Sequence, residues 1–120
     1  MEKSPLTIKI GAIDYEVFLV DDMDEDYGYC VPHLQQIVLS KNQSYQSVSD
    51  TLLHEVLHAI WHESGLFDIK RPSEEQIVRT FSTWLCIVYR DNPKLLEIIK
   101  DSKPHWPHQP FQGETKHVKR

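Results

Sequence analysis

The sequence predicts a small α+β domain, with an N-terminal, mostly antiparallel sheet packed against helices. Three observations predict it. A chain of 120 residues suits one hydrophobic core and no more. The first third reads as short strands, and its opening segment alternates apolar and polar residues with a period of two. From about residue 47 the apolar period becomes 3.6, the period of an amphipathic helix.

The elements follow in order. Leu6-Thr7-Ile8-Lys9-Ile10 alternates as a half-buried strand does. Gly11-Ala12 turns it into a second strand, Ile13 to Val20, as a hairpin. The acidic run Asp21 to Asp26 has little to bury and reads as a solvated loop, without the glycine and terminal glutamate of a calcium loop. Tyr29-Cys30-Val31 and Gln36-Ile37-Val38-Leu39 read as two further strands around Pro32-His33. A helix capped by Ser47 or Ser49 then runs from about Asp50 to Ser64, and Gly65 stops it. Ser73 and Gln76 have capping-box spacing for a second helix, whose apolar stripe is Ile77, Val78, Phe81, Trp84, Leu85 and Val88. Asp91-Asn92-Pro93 breaks that helix, and Pro93 opens a short third helix ending near Lys100. Residues 1–103 form the expected single domain. The proline-rich stretch 104–120 reads as an extended or disordered tail.

Composition limits the function. With 40% hydrophobic and 26% charged residues, collagen-like and wholly disordered classes are excluded. A net charge of −5 argues against a general nucleic-acid binder. No apolar run approaches the ~18 residues that cross a membrane. The opening Met1-Glu2-Lys3-Ser4-Pro5 lacks a signal peptide's apolar stretch. Cys30 and Cys86 read as free thiols in a reducing cytoplasm. The expectation is a cytoplasmic protein with no nucleic-acid or membrane partner.

Seven histidines stand out. His54-Glu55-Val56-Leu57-His58 is the HExxH pattern. Four residues on a helix advance about 400°, so both imidazoles lie on one face, one turn apart. Both can reach one metal ion. Glu55 cannot point with the pair, and sits where a carboxylate takes a proton from metal-bound water. The flanking residues are bulky and uncharged. Burying these polar groups without partners costs about 1–3 kcal/mol each, a cost that a metal resolves. A catalytic zinc takes a third protein ligand. His62 lies ~12 Å along the axis from His54, too far for one zinc to bind all three histidines, and reads as a packing or supporting residue. Glu74 and Glu75 open the second helix. Both suit its dipole without any metal. On the helical wheel Glu74 lies near the centre of the apolar stripe and Glu75 at its edge, which favours Glu74.

Thr51 to Ala59, followed by a second helix that opens with glutamate, resembles a zincin metallopeptidase of the gluzincin type. It is similar to ImmA/IrrE-like proteins and to small metallopeptidase-like proteins of phages and prophages. The resemblance covers about Gly28 to Lys100, and the HExxH core is its specific part. It implies a zincin-like domain in a bacterial or phage-infected cell, with the sheet beside the HExxH helix and the glutamate-bearing helix. In gluzincins such as thermolysin the third ligand stands six residues before a phenylalanine. Glu75 stands so to Phe81, and the resemblance therefore implies Glu75 as the ligand, with Glu74 as rival. Two positions depart from the family. Arg79 stands where Asp or Asn is common, and Val56-Leu57 stand where ImmA/IrrE-like motifs often read Leu-Gly. Zincins pair an extended substrate with an edge strand, and Gln36 to Leu39 is the expected strand. No local motif identifies the residue that stabilises the oxyanion. Tyr45, Tyr89 and His33 are candidates.

The resulting expectation is a Zn2+-dependent peptidase, more an endopeptidase than an exopeptidase, acting on a peptide or protein. His54, His58 and Glu75 hold the metal, and Glu55 is the general base. The alternative is a regulatory or protein-binding module on the same scaffold, because the short chain leaves little material for a deep cleft. A metal-free helical interaction domain is the third reading.

Overall fold

The computed structural model describes residues 6–21 and 27–100. The acidic stretch 22–26, the N-terminal residues 1–5 and the tail with its histidines lie outside the described residues. The strands are β1 (Leu6–Ile10), β2 (Ile13–Val20), β3 (Gly28–Val31) and β4 (Gln36–Ser40). The helices are α1 (Tyr45–Glu63), α2 (Glu74–Asp91) and α3 (Pro93–Lys100). Short 3-10 turns occupy Pro32–Leu34 and Leu66–Asp68. This is an α+β arrangement of a mixed sheet and three helices.

The sheet order is β1-β2-β4-β3. β1 pairs antiparallel with β2, and β3 with β4, while β2 and β4 run parallel. β4 is therefore an interior strand. The expectation that Gln36 to Leu39 forms a substrate-pairing edge is corrected: the edges are β1 and, on the side of β4, β3. The reason is burial. Ile37, Val38 and Leu39 form a continuous apolar run, buried in the structure, and such a run needs neighbours on both sides.

One face of the sheet packs on the helices. Ile8, Ile10, Tyr15, Val17, Ile37 and Leu39 meet Val48, Leu52, Val56, Ala59 and Ile60 of α1. Those α1 positions recur at the three- and four-residue spacing of a core-facing stripe. Val88 of α2 with Leu95 and Ile98 of α3 completes the cluster.

α1 begins earlier than its predicted Asp50. Ser44 is the cap, its hydroxyl accepting the Ser47 amide at 3.1 Å. Neither predicted cap serves as one. The Ser47 hydroxyl donates to Gln43 Oε1 at 2.6 Å, and that of Ser49 to the Ile98 carbonyl at 2.9 Å. Gln43 is buried and fully engaged. Its Nε2 donates to the carbonyls of Tyr27 and Ser40, and its Oε1 also accepts from Thr51. One amide thus ties the start of α1 to the start of β3.

Gly28 brings β3 against α1. A Cβ there would stand 2.7 Å from Thr51 Cγ2 and 3.0 Å from the Val38 carbonyl oxygen, so a side chain would push the strand off the helix. Thr51 lies one turn before His54 and Glu55.

The predicted capping box opens α2. Ser73 Oγ accepts the Gln76 amide at 3.1 Å, and the Ser73 amide donates to Gln76 Oε1 at 2.8 Å. The stripe of α2 is only partly used. Val88 is buried and Phe81, Trp84 and Leu85 touch the core, but Val78 is 54% exposed.

Candidate metal centre

α1 carries His54 and His58 outward and Glu55 inward. The two rings lie edge to face, with centroids 4.9 Å apart and planes at 68°. Both imidazoles are exposed, whereas Glu55 is 5% exposed. The same helical geometry does both: positions 54 and 58 fall on one strip of the surface, and position 55 turns about 100° toward β3.

A cleft of about 320 Å³ opens between β3 and α1, lined by Cys30, Pro32, His54, Glu55, His58 and His62 and by Gly28 and Tyr29 of the strand. On the other side of the pair lies a second hollow of about 290 Å³, walled by Leu57, Trp61 and Phe81. His54 and His58 border both. The pair forms a ridge between a polar cleft and an apolar one.

Burial pushes the Glu55 carboxyl above its usual range, and the neighbouring His54 and His58 oppose that shift. The carboxylate has no hydrogen-bond partner among the described residues. The Cys30 thiol is pushed up to about 12, first by burial and then by the negative charges of Glu55 and Glu63. Beneath them the Tyr15 hydroxyl donates to Glu63 Oε2 at 2.7 Å. Its own deprotonation is strongly suppressed, by burial first and by that hydrogen bond next.

The structure brings together three of the four predicted site residues. Glu75 is the fourth. It sits exposed in the first turn of α2, where its carboxylate faces Arg79 at 3.2 Å. A solvent-exposed pair of this kind contributes little. Glu74 is also exposed. Among the described residues no three His, Cys, Asp or Glu side chains converge enough to hold one metal ion.

Residues that sequence reasoning did not place at the site are Gly28, Tyr29, Cys30 and Pro32 on the polar side and Leu57, Trp61 and Phe81 on the apolar side. His62 belongs to the polar cleft rather than to packing alone. Its signal was in the sequence, because 54, 58 and 62 continue one four-residue spacing. Cys30 had no such signal, since it reaches the site through sheet topology. His33, Tyr45 and Tyr89 line neither hollow.

No family model, curated protein or solved structure matches the chain. Among the described residues no helix is long and apolar enough to cross a membrane.

Proposed function

We propose that this chain is a zinc-dependent peptidase in which a water molecule attacks a peptide carbonyl. The observation that carries the reading is Glu55, a buried carboxylate with no hydrogen-bond partner among the described residues, beside two exposed imidazoles one helical turn apart. A buried carboxylate left unpaired is costly unless the site gives it a proton to share or a charge to face. The histidine pair fits as two donors to zinc. Glu75 is the third donor that the gluzincin resemblance implies. When bound, zinc supplies Lewis acidity, lowering the pKa of water and polarising the carbonyl.

The chain's own groups then have distinct tasks. Glu55 takes the proton of the attacking water and returns it to the leaving amine, and its raised basicity suits that work. β3 offers main chain to an extended peptide. The Ser40 amide donates to the Tyr27 carbonyl, which sets the antiparallel alternation. Tyr29 and Val31 then bond inward to β4, and the amides and carbonyls of Gly28 and Cys30 face out from the edge. Pairing there is tolerant of side chains.

The test is elemental analysis of the dialysed chain together with cleavage of an internally quenched peptide mixture. The parent is expected to hold one zinc per chain, and Glu55→Gln to keep it while losing about 10²–10⁴-fold in kcat. Cleavage by Glu55→Gln at the parent's rate defeats the mechanism. One zinc without cleavage of any peptide favours the regulatory or protein-binding module. No zinc at all favours the helical interaction domain.

A further inference from the structure

We propose that His62 is a catalytic residue of this reaction, donating a ring N–H to the substrate carbonyl oxygen as that oxygen gains negative charge; the assignment rests on the peptidase reading above. His62 lines the polar cleft together with His54, Glu55 and His58. It lies one turn beyond His58, about 6 Å along the axis and on the same strip of α1. It is ~12 Å along the axis from His54 and cannot share one metal with both histidines, which leaves its ring for substrate.

The outward amides of Gly28 and Cys30 are committed to pairing with the extended peptide, and the other side chains off the histidine pair do not offer that donor. Glu55 is an acceptor when ionised, and Cys30 carries only a weak S–H donor. Gly28 faces α1 through its contact with Thr51, and strand alternation turns Tyr29 to the opposite face of the sheet. Among the described lining residues His62 alone combines a strong donor with a place on the helix beside the pair.

Its ring is also held. Gly65 adopts φ +85°, a left-handed conformation, and the chain folds back through Leu66–Asp68. Phe67 then lies against the imidazole, with ring centroids 4.8 Å apart. A donor held before substrate arrives needs little reorganisation, and such donors contribute most when charge develops in a site that excludes water. The step at His62 is a hydrogen bond alone. No proton is transferred, and no bond to the ring forms or breaks.

The experiment compares the zinc-loaded full chain with His62→Ala, His62→Gln and Phe67→Ala. Zinc content, kcat, KM and affinity for an N-phosphoryl dipeptide, a mimic of the tetrahedral species, are measured. His62→Ala is expected to keep zinc, to lose about 10²-fold in kcat with little change in KM, and to lose mimic affinity by a similar factor. Gln retains an N–H donor and restores part of both, and Phe67→Ala gives a smaller loss in both. Should His62→Ala unfold, His62→Gln and Phe67→Ala carry the comparison. Parent-like cleavage and mimic affinity in the His62 variants overturn the assignment alone. Loss of zinc in folded His62 variants also overturns it, by making His62 a ligand. A parent that binds neither zinc nor the mimic overturns the peptidase reading and this assignment together. A parent that binds both without cleaving still decides the assignment, through mimic affinity.

Discussion

Tyr15, Cys30 and Glu55 are driven toward their protonated forms by the same cause, burial. The two cysteines therefore differ sharply. Cys86 is exposed on α2, whereas Cys30 holds its proton up to about pH 12. At pH 8 the folded chain is expected to react quickly with one equivalent of iodoacetamide, at Cys86, and with a second only in denaturant. Mass spectrometry of the labelled peptides checks this, and fast labelling of Cys30 in the folded chain contradicts it. The sign for stability follows. The folded state keeps a proton that the unfolded chain releases above pH 9.0, so this contribution is complete below that pH and is lost toward about 12. None of this was legible in the sequence, where Cys30 is only a thiol in a strand. Its neighbours Glu55 and Glu63 stand more than twenty residues away in the chain.

The helices show which signals are local. The capping box at Ser73 and the stop at Gly65 were legible because each is closed by residues a few positions apart. The hairpin at Gly11-Ala12 was legible for the same reason. The start of α1 was misread because several serines compete for one cap, and distant partners decide among them: Ile98 takes the Ser49 hydroxyl. α2 is anchored at its C-terminal half, through Val88 and Asn92, while its first turn is exposed. The wheel position of Glu74 therefore predicts no burial, because the core does not extend to that end. The third-ligand assignment is tested at this element. Glu75→Ala is expected to weaken zinc binding about 100-fold or more, and Glu74→Ala to leave it near the parent value. Competition titration with a chelating dye separates the two, and the reverse order makes Glu74 the ligand.

At the scale of the molecule, strand order was the least legible feature. Alternation identified β1, and short apolar runs the later strands, but a sequence of short strands does not say that β4 lies inside and β3 outside. The pairing of β4 with β2 is set by the core and by long-range contacts. Asn92 is another such contact. It was read only as part of a helix break, yet its Oδ1 accepts the Lys9 amide at 2.8 Å. Its Nδ2 donates to the carbonyls of Lys9 and Val88, each at 2.8 Å. Asn92→Ala is expected to cost about 1–3 kcal/mol, because it strips partners from part-buried backbone groups. Urea denaturation measures the cost. A change below the error of the midpoint removes Asn92 from the account.

That side chain behaves toward β1 as a neighbouring strand would. The outward main-chain groups of this five-residue strand fall on alternate residues, Thr7 and Lys9, and those of Lys9 are already taken. Half of that border is thereby obstructed to recruitment. An extended chain seeking a fifth strand, whether a peptide, an inhibitor or a misfolded neighbour, meets no such side chain among the described residues at β3, the border that runs past His54 and His58.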